Sequence, residues 1–134
     1  KNGLKFYSPG ANAFVDARDV ANIMIELVNR DIFEERYLCI GANTTFKHLF
    51  DLIAAELKQK PPTKKVHPFL MGITWRLSVF WAILTFSKPL ITKSAARNAF
   101  NTIKYSNQKI KDAIGYEFYS IEDTVTNAVK GRLK

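Results

Sequence analysis

Cysteine, histidine and clustered glycine are the features that this 134-residue sequence lacks or has little of. The single cysteine, Cys39, lies in an apolar run and cannot form an internal disulfide, so we expect a cytoplasmic, reducing setting. The two histidines, His48 and His67, are isolated from each other and from Cys39. Neither a metal-ligand spacing nor a nucleophile–base pair is visible, and we expect no metal site and no catalytic residue.

The six glycines are scattered, and they stand at positions 3, 10, 41, 72, 115 and 131. A dinucleotide-binding turn needs closely spaced glycines, because backbone N–H groups must approach a pyrophosphate at the start of a helix. We therefore expect this chain to hold no NAD or NADP, and we predict no cofactor-binding residue in it. The sequence has no repeats and no low-complexity tracts, and its length suits a single domain over residues 1–134.

Acidic residues are scarce in the second part of the chain, and the net charge of +8 is therefore uneven. Residues 1–56 carry a net charge of −2, whereas residues 57–134 carry +10. Four lysines surround Pro61-Pro62, at positions 58, 60, 64 and 65. They could form a patch for nucleic acid or anionic lipid, or a solvated loop. Because no nucleic-acid motif accompanies them, we expect the solvated loop and no nucleic-acid partner.

Helical periodicity is the strongest pattern that is present. After Phe14-Val15 and Asp16, apolar residues recur at offsets 0, 3, 4, 7 and 8, which is one face of an α-helix: Val20, Ile23, Met24, Leu27 and Val28. Asp16 is predicted to cap a helix from Ala17 to Asn29. Asp19 follows three residues later, as in a capping box.

Weaker patterns complete a mixed α/β fold that is dominated by helix and has only short strands. A second amphipathic helix is predicted from Phe46, and Pro61-Pro62 ends it. Short strands are predicted at 5–7, 14–15, 36–40 and 102–106, with turns at 8–12 and 41–45. Further helices are predicted at 93–100, at 107–114 with Gly115 as the C-terminal stop, and after Ser120.

The segment from Phe69 to Phe86 is almost wholly apolar, with Arg76 as its only charged residue. Its length is at the lower limit for a membrane span, and an arginine inside a span costs about 2.5–3.5 kcal/mol on insertion scales. We expect a buried or lid helix and no membrane contact, with an interfacial helix and a true span as the alternatives. We also predict that its apolar face is partly uncovered, so that the chain self-associates.

Four motifs in series carry a resemblance to a known family. They are Phe14-Val-Asp-Ala-Arg-Asp-Val-Ala21, the passage from Arg36-Tyr37-Leu38 to Thr45, Pro89-Leu-Ile-Thr92, and the stretch from Tyr105 to Tyr116. In this order they resemble the C-terminal half of extended short-chain dehydrogenases/reductases, the NAD(P)-dependent epimerase/dehydratase and dihydroflavonol-reductase-like group. The resemblance implies that the chain is one substrate-binding C-terminal domain of a longer Rossmann-type enzyme.

That resemblance also implies partners and an activity. The partner is the enzyme's own N-terminal Rossmann domain, which would carry NAD or NADP and the catalytic residues. The substrate would be a small molecule with a hydroxyl or carbonyl group, and epimerase, dehydratase and reductase all remain open as the reaction. This chain alone would be inactive. The alternative from another class is a non-enzymatic helical interaction or membrane-surface module with a basic C-terminal half.

Candidate substrate-binding residues follow from the same resemblance: Asn12, Phe14, Phe69, Trp75 and Pro89. Relatives that act on nucleotide sugars carry an arginine before the first motif, whereas this chain has Gly10-Ala-Asn-Ala13 there, which speaks against such substrates. The aromatic residues from Phe69 to Trp81 suit an apolar or ring-shaped substrate, or equally a small core. Tyr105 and Lys109 have the spacing of the family's catalytic pair, but we assign them to the C-terminal strand–helix unit instead.

Overall fold

The computed structural model describes residues 4–85 and 93–132, and it is a mixed α/β, helix-rich structure with small sheets. The strands are β1 (Phe6–Tyr7), β2 (Ala11–Phe14), β3 (Ala42–Thr45) and β4 (Lys64–Lys65). The helices are α1 (Ala17–Asn29), α2 (Phe46–Glu56), α3 (Pro68–Leu84), α4 (Lys93–Asn98), α5 (Gln108–Ile114) and α6 (Ile121–Arg132). The predicted class, mixed α/β with short strands, is confirmed.

Two small two-stranded sheets organise the N-terminal part of the chain. β1 pairs with β4 in parallel, and β2 pairs with β3 in antiparallel register from Ala11 opposite Thr45 to Phe14 opposite Ala42. Thr102 adds an isolated parallel bridge to Ala11 on β2. β2 therefore brings the chain after α4 next to the strand that immediately precedes α2.

The core lies between α1 and α5. Ile23 of α1 and Ile110 and Ile114 of α5 are buried together, and half-buried side chains such as Leu27 pack around them. α5 ends at Gly115, whose φ of +67° is the left-handed conformation that favours glycine, so the predicted stop is confirmed. On the other side of the molecule α2 packs against α6, where the Thr126 hydroxyl donates to Glu56 Oε1 at 2.6 Å.

Helix α1 begins as predicted and buries only part of the predicted apolar face. The Asp16 side chain accepts from the N–H of Arg18, as an N-cap does. The capping box is wrong, because Asp19 is turned into the protein, where it accepts from Tyr116 and Tyr119. Of the predicted stripe, Ile23 is buried and Val20 and Leu27 are half-buried, but with Asp19 on the buried face Met24 and Val28 are more than 60% exposed.

Three local predictions are wrong, and in each the backbone has a different partner from the one expected. Residues 36–40 form no strand, because no described strand lies beside them, and the carbonyl of Ile40 accepts from the Asn107 side chain instead. Residues 102–106 form only the bridge at Thr102. The turn predicted at 8–12 overlaps the start of β2 at Ala11, and the turn predicted at 41–45 is replaced by β3, because the ladder between these two strands overrides weak local preferences.

Helix α3 is where the sequence places it, over the part of 69–86 that the structure describes. Phe69, Phe80 and Trp81 are 71%, 63% and 69% exposed, so the prediction of a partly uncovered apolar face is confirmed. On the inner side Ala82 is buried, and α3 packs on α4. Among the described residues, no helix has both the length and the apolar character that crossing a bilayer requires.

Candidate functional site: a neutral cleft beside strand β2

A cleft of about 420 Å³ opens where β2, α2 and the end of α4 meet. Its walls come from four separate parts of the chain, which are the loop before β2, β2 itself, α2 and the segment that follows α4. The lining residues are Ser8, Ala11, Asn12, Phe46, Phe50, Asn98, Ala99, Ile103 and Tyr105. None of them is charged. The cleft is apolar on the α2 side and carries hydroxyl and amide groups on the other sides, which is typical of small-molecule sites.

Gly10 permits the close approach of two backbone segments that shapes the cleft. A Cβ at this position would lie 2.6 Å from the carbonyl oxygen of Ala99 and 2.7 Å from that of Asn101, so only glycine fits. The N–H groups of Gly10 and Ala11 donate to those two carbonyls, both at 3.0 Å, and the Ser8 hydroxyl donates to Ala99 as well. The far wall of the cleft is therefore fixed to β2 by hydrogen bonds.

Asn43 on β3 holds Tyr105 in place at the cleft. Its side-chain oxygen accepts from the Tyr105 N–H at 3.0 Å, and its side-chain nitrogen donates to the Tyr105 carbonyl at 2.8 Å. The amide thus satisfies both backbone groups of Tyr105, as a neighbouring strand would. The Tyr105 ring is 42% exposed, and its hydroxyl makes no hydrogen bond to any other described residue.

The structure brings two of the five predicted substrate-binding residues to this cleft. Asn12 lines it, and its side-chain oxygen accepts from the N–H of Ala13 at 2.9 Å, which leaves the amide N–H groups as its donors for a ligand. Phe14 lies behind the wall, where its ring meets Phe46 edge to face with the centroids 6.0 Å apart. Phe46 in turn lines the cleft, so Phe14 supports the apolar wall rather than forming it.

Of the other three predicted residues, two lie elsewhere and one is outside the described residues. Phe69 and Trp75 both lie on α3 and are not among the residues that line the cleft. Phe69 is largely exposed, whereas Trp75 is half-buried and has the Arg76 guanidinium 5.1 Å from its ring centroid. Pro89 lies outside the described residues.

Tyr105 and Lys109 do not form a catalytic pair in this structure. Tyr105 is in an extended segment, whereas Lys109 is on α5 and points to another part of the chain. The Lys109 Nζ donates to Glu35 Oε2 at 2.6 Å and to the Arg36 carbonyl at 3.2 Å. This hydrogen bond raises the pKa of Lys109 and lowers the pKa of Glu35. The lysine therefore holds the loop at residues 35–36 against α5.

A buried polar cluster lies at the start of α1, away from the cleft. Asp19 is fully buried, and its Oδ1 accepts from the Tyr116 hydroxyl at 3.0 Å and from the Tyr119 N–H at 3.3 Å. Its Oδ2 has no partner among the described residues. Burial raises the pKa of the Tyr116 phenol, and burial together with the nearby Asp19 raises the pKa of the Cys39 thiol. Both groups are therefore protonated at neutral pH and unsuited to act as nucleophiles.

Asp16 and Arg18 form a second charged contact at the same helix start. The guanidinium reaches Asp16 Oδ2 at 2.7 Å and lies over the Tyr119 ring, 4.2 Å from its centroid. The hydrogen bond from Arg18 lowers the pKa of the Asp16 carboxyl. Arg18 is therefore occupied by Asp16 and Tyr119, which gives this motif a role in holding α1 against the chain after α5.

The described residues do not fit a dinucleotide. Gly10 and Gly41, which directly precede β2 and β3, are closely approached by backbone carbonyls, from Ala99 and Asn101 and from Phe14 respectively. The N-terminus of α1 is capped by the carboxylate of Asp16, which would repel a phosphate group. We therefore assign no chemistry on this chain to NAD or NADP.

The two histidines contact helix residues and do not form a metal site. His67 is the N-cap of α3, and its Nδ1 accepts from the Phe69 N–H at 3.4 Å. His48 on α2 has its Nε2 3.8 Å from Glu122 of α6. Within the two described ranges, no three histidine, cysteine or acidic side chains lie close enough together to bind a metal ion.

Sequence reasoning missed most of the residues that build the cleft. Phe46 and Phe50 are recognisable as the inner face of an amphipathic helix, but periodicity does not distinguish a cleft wall from a core. Asn43 and Tyr105 are 62 positions apart, and their contact depends on the pairing of β2 with β3. The one local indication was Gly10 in a polar loop, since a glycine can mark the close approach of two backbones.

Comparison with known proteins gives a fold and no family. No protein-family model and no curated protein matches the sequence. A solved structure, described as the crystal structure of gox2253, superposes with a TM-score of 0.71 at 23% sequence identity. The match covers 95% of this chain and 38% of that chain. The present chain thus shares a fold with a part of gox2253, and it spans well under half of that protein's length.

Proposed function

We propose that this chain is the substrate-binding portion of an NAD(P)-dependent epimerase/dehydratase or reductase of the extended short-chain dehydrogenase/reductase family. The observation that carries the proposal is the cleft beside β2, which has an apolar floor, free amide and hydroxyl groups, and a wall that hydrogen bonds fix in place. The cofactor and the catalytic residues belong to an upstream domain in this proposal, and this chain alone is inactive. We place the enzyme in the cytoplasm.

The chemistry of the cleft supports a neutral substrate. Among the described residues, its lining contains no lysine, arginine, aspartate or glutamate. A nucleotide diphosphate would need a cation, for example a bidentate arginine, to replace the water around its phosphates. A ring carrying a hydroxyl or carbonyl group suits the lining better, because Phe46 and Phe50 can contact the ring while Asn12 and Tyr105 bond the oxygen.

An uncovered face on α1 supports the upstream partner domain. Met24, Ile25 and Val28 point outward from this helix and are between 58% and 63% exposed. Leu38 is exposed within an extended segment, and the backbone groups of residues 37–39 make no backbone–backbone hydrogen bonds to described residues. An extended segment with free backbone groups can pair with the edge of another sheet. In the proposal the Rossmann domain covers this face.

Nuclear magnetic resonance titration of the 134-residue chain tests the substrate class. We expect taxifolin, a neutral dihydroflavonol, to shift the backbone amide signals of Asn12 and Tyr105, and we expect a sugar nucleotide such as UDP-glucose to leave them unchanged. Tyr105→Phe removes only the free hydroxyl and should weaken taxifolin binding about three- to tenfold, the value of one hydrogen bond. Tyr7→Phe, outside the cleft, is the matched control. Binding of UDP-glucose in preference to taxifolin would contradict the proposed substrate class.

The coding sequence upstream of residue 1 tests the enzyme class independently. The proposal requires a glycine-rich turn after a first strand and, further on, a Tyr-x-x-x-Lys motif on a helix. An upstream sequence that encodes neither would overturn the enzyme and favour an interaction module.

A further inference from the structure

Helix α3 carries an apolar stripe on its outward side. We define the stripe as Phe69, Ile73, Leu77, Phe80, Trp81 and Leu84, whose spacing places them on one helical face. They are between 41% and 71% exposed. The opposite face contacts the protein, with Trp75 and Val79 half-buried and Ala82 buried. The side of α3 that points away from the protein is therefore as apolar as the side that packs.

The stripe is larger than a soluble monomer normally exposes. Aromatic side chains present 150–250 Å² each, and Phe69, Phe80 and Trp81 are about two-thirds exposed, so these three alone present roughly 300–500 Å². The largest exposed patch on a typical monomer has about this size in total, and such patches are often functional. The three remaining stripe residues add to this area.

The charge around the stripe has one sign. Positions 57–104, which include α3 and its flanking segments, contain nine lysine and arginine residues and no aspartate or glutamate. Lys64 and Lys65 form β4, directly before α3, and both are exposed. Arg76 is exposed at the edge of the stripe and Arg97 is exposed on α4, the helix that packs on α3. A partner for this face is therefore both apolar and anionic.

We propose that the stripe binds the surface of an anionic lipid bilayer, with α3 lying parallel to the membrane plane. Phenylalanine, leucine and tryptophan on one face with basic residues at the margin is the composition of helices that lie in the interface. The basic residues then meet anionic headgroups, and each contributes to binding through the surface potential. The self-association expected from the sequence would bury the same stripe in a symmetric dimer, which is less favourable than lipid binding because it would place the basic margins of both copies together. This inference is independent of the proposed substrate cleft.

Vesicle binding of the intact 134-residue chain tests the proposal. We expect the chain to sediment with vesicles of phosphatidylcholine and phosphatidylserine, and to bind vesicles of phosphatidylcholine alone much more weakly. Raising the salt concentration should weaken binding, since screening shortens the range of the surface potential. In the Trp75→Phe variant, Trp81 is the single tryptophan, and its emission should shift to the blue and be quenched by brominated lipid.

Matched variants separate the apolar stripe from the basic margin. Phe80→Ser with Trp81→Ser should weaken binding at least tenfold, whereas Met24→Ser with Val28→Ser, an equally exposed pair on α1, should not. Lys64→Gln with Lys65→Gln should weaken binding about 30-fold on the usual contribution of two surface cations. Lys111→Gln with Lys130→Gln removes the same charge elsewhere and should have a much smaller effect.

Three results would overturn the proposal. The first is equal binding to neutral and anionic vesicles, and the second is no binding to either. The third is a stable dimer in sedimentation equilibrium that Phe80→Ser with Trp81→Ser dissociates, which would identify a second copy as the occupant of the stripe. Circular dichroism of each variant must match that of the parent chain, which the high exposure of the substituted side chains leads us to expect.

Discussion

Helices α1 and α3 are both rich in apolar residues, yet the chain treats them in opposite ways. α1 places Ile23 and a carboxylate, Asp19, at less than 2% exposure, whereas α3 leaves Phe80 and Trp81 more than 60% exposed. What differs is the partner: α1 has α5 and the chain after it, while the outer side of α3 has no covering element among the described residues. Whether a side chain of these helices is buried therefore depends more on a neighbouring element that can pack against it than on how apolar the helix is.

The largest expected effect is at the centre of the buried region. Ile110→Ala removes most of a side chain that is 0% exposed beside Ile23 and should destabilise the chain by about 2–5 kcal/mol. The free energy of unfolding, measured by urea denaturation, provides the check. Leu77→Ala on α3 is the matched control, and a similar loss there would mean that α3 is covered after all.

The next effect tests whether the buried carboxylate stabilises the start of α1. Asp19→Ala removes the acceptor of the Tyr116 hydroxyl and the Tyr119 N–H, and we expect a loss of about 2 kcal/mol. The exposed Asp112, changed to alanine, should alter stability by less than about 0.5 kcal/mol. If the Asp19→Ala variant is as stable as the parent chain in urea, the free-energy cost of burying the carboxylate equals the stabilisation from its hydrogen bonds.

A smaller, pH-dependent effect is expected at Asp16. Asp16→Asn should cost about 1 kcal/mol at neutral pH, because the amide can still cap the helix but loses the charge that faces Arg18. The pKa of the Asp16 carboxyl is lower in the folded chain than its ordinary value of 3.8, so its contribution is complete above pH 3.8 and is lost as the pH falls through the folded value. Stability of the parent should thus drop more than that of Asp16→Asn between pH 5 and pH 2, measured by urea titration at each pH.

The smallest effect is expected on the exposed stripe. Trp81→Ser should change the free energy of unfolding by less than about 0.5 kcal/mol, since the side chain is 69% exposed. A thermal or urea denaturation curve that is displaced by more than this would contradict the contrast between α1 and α3.

Patterns of neighbouring residues in the sequence predict the helices, but they predict few of the residues that line the cleft. The Asp16 cap, the start of α2 at Phe46 and the glycine stop at Gly115 all follow from residues within a few positions of one another. The exposure of Met24 does not follow from local pattern. It depends on the hydrogen bond between Asp19 and Tyr116, which are almost a hundred residues apart in the sequence. The two hydrogen bonds between the Asn43 side chain and the Tyr105 backbone likewise join distant segments. A single sequence does not show that such segments lie close together in space.

The residues that were predicted for substrate binding illustrate the same limit. Asn12 was identified from its place before the first motif, which is local, and it lines the cleft. Phe69 and Trp75 were chosen for their aromatic character, which does not distinguish a cleft from an exposed helix face. An aromatic residue on an apolar helix needs a known neighbour before its role can be assigned.

Calorimetric titration with NADH and NADPH tests most directly whether this chain supplies the substrate side of an enzyme and not its cofactor side. We predict no measurable binding of either cofactor, because the glycines are scattered along the sequence, backbone carbonyls closely approach Gly10 and Gly41, and the start of α1 is capped by a carboxylate. Binding of taxifolin by the same sample serves as the control that the chain is folded and its cleft accessible. Micromolar binding of either cofactor would contradict the assignment.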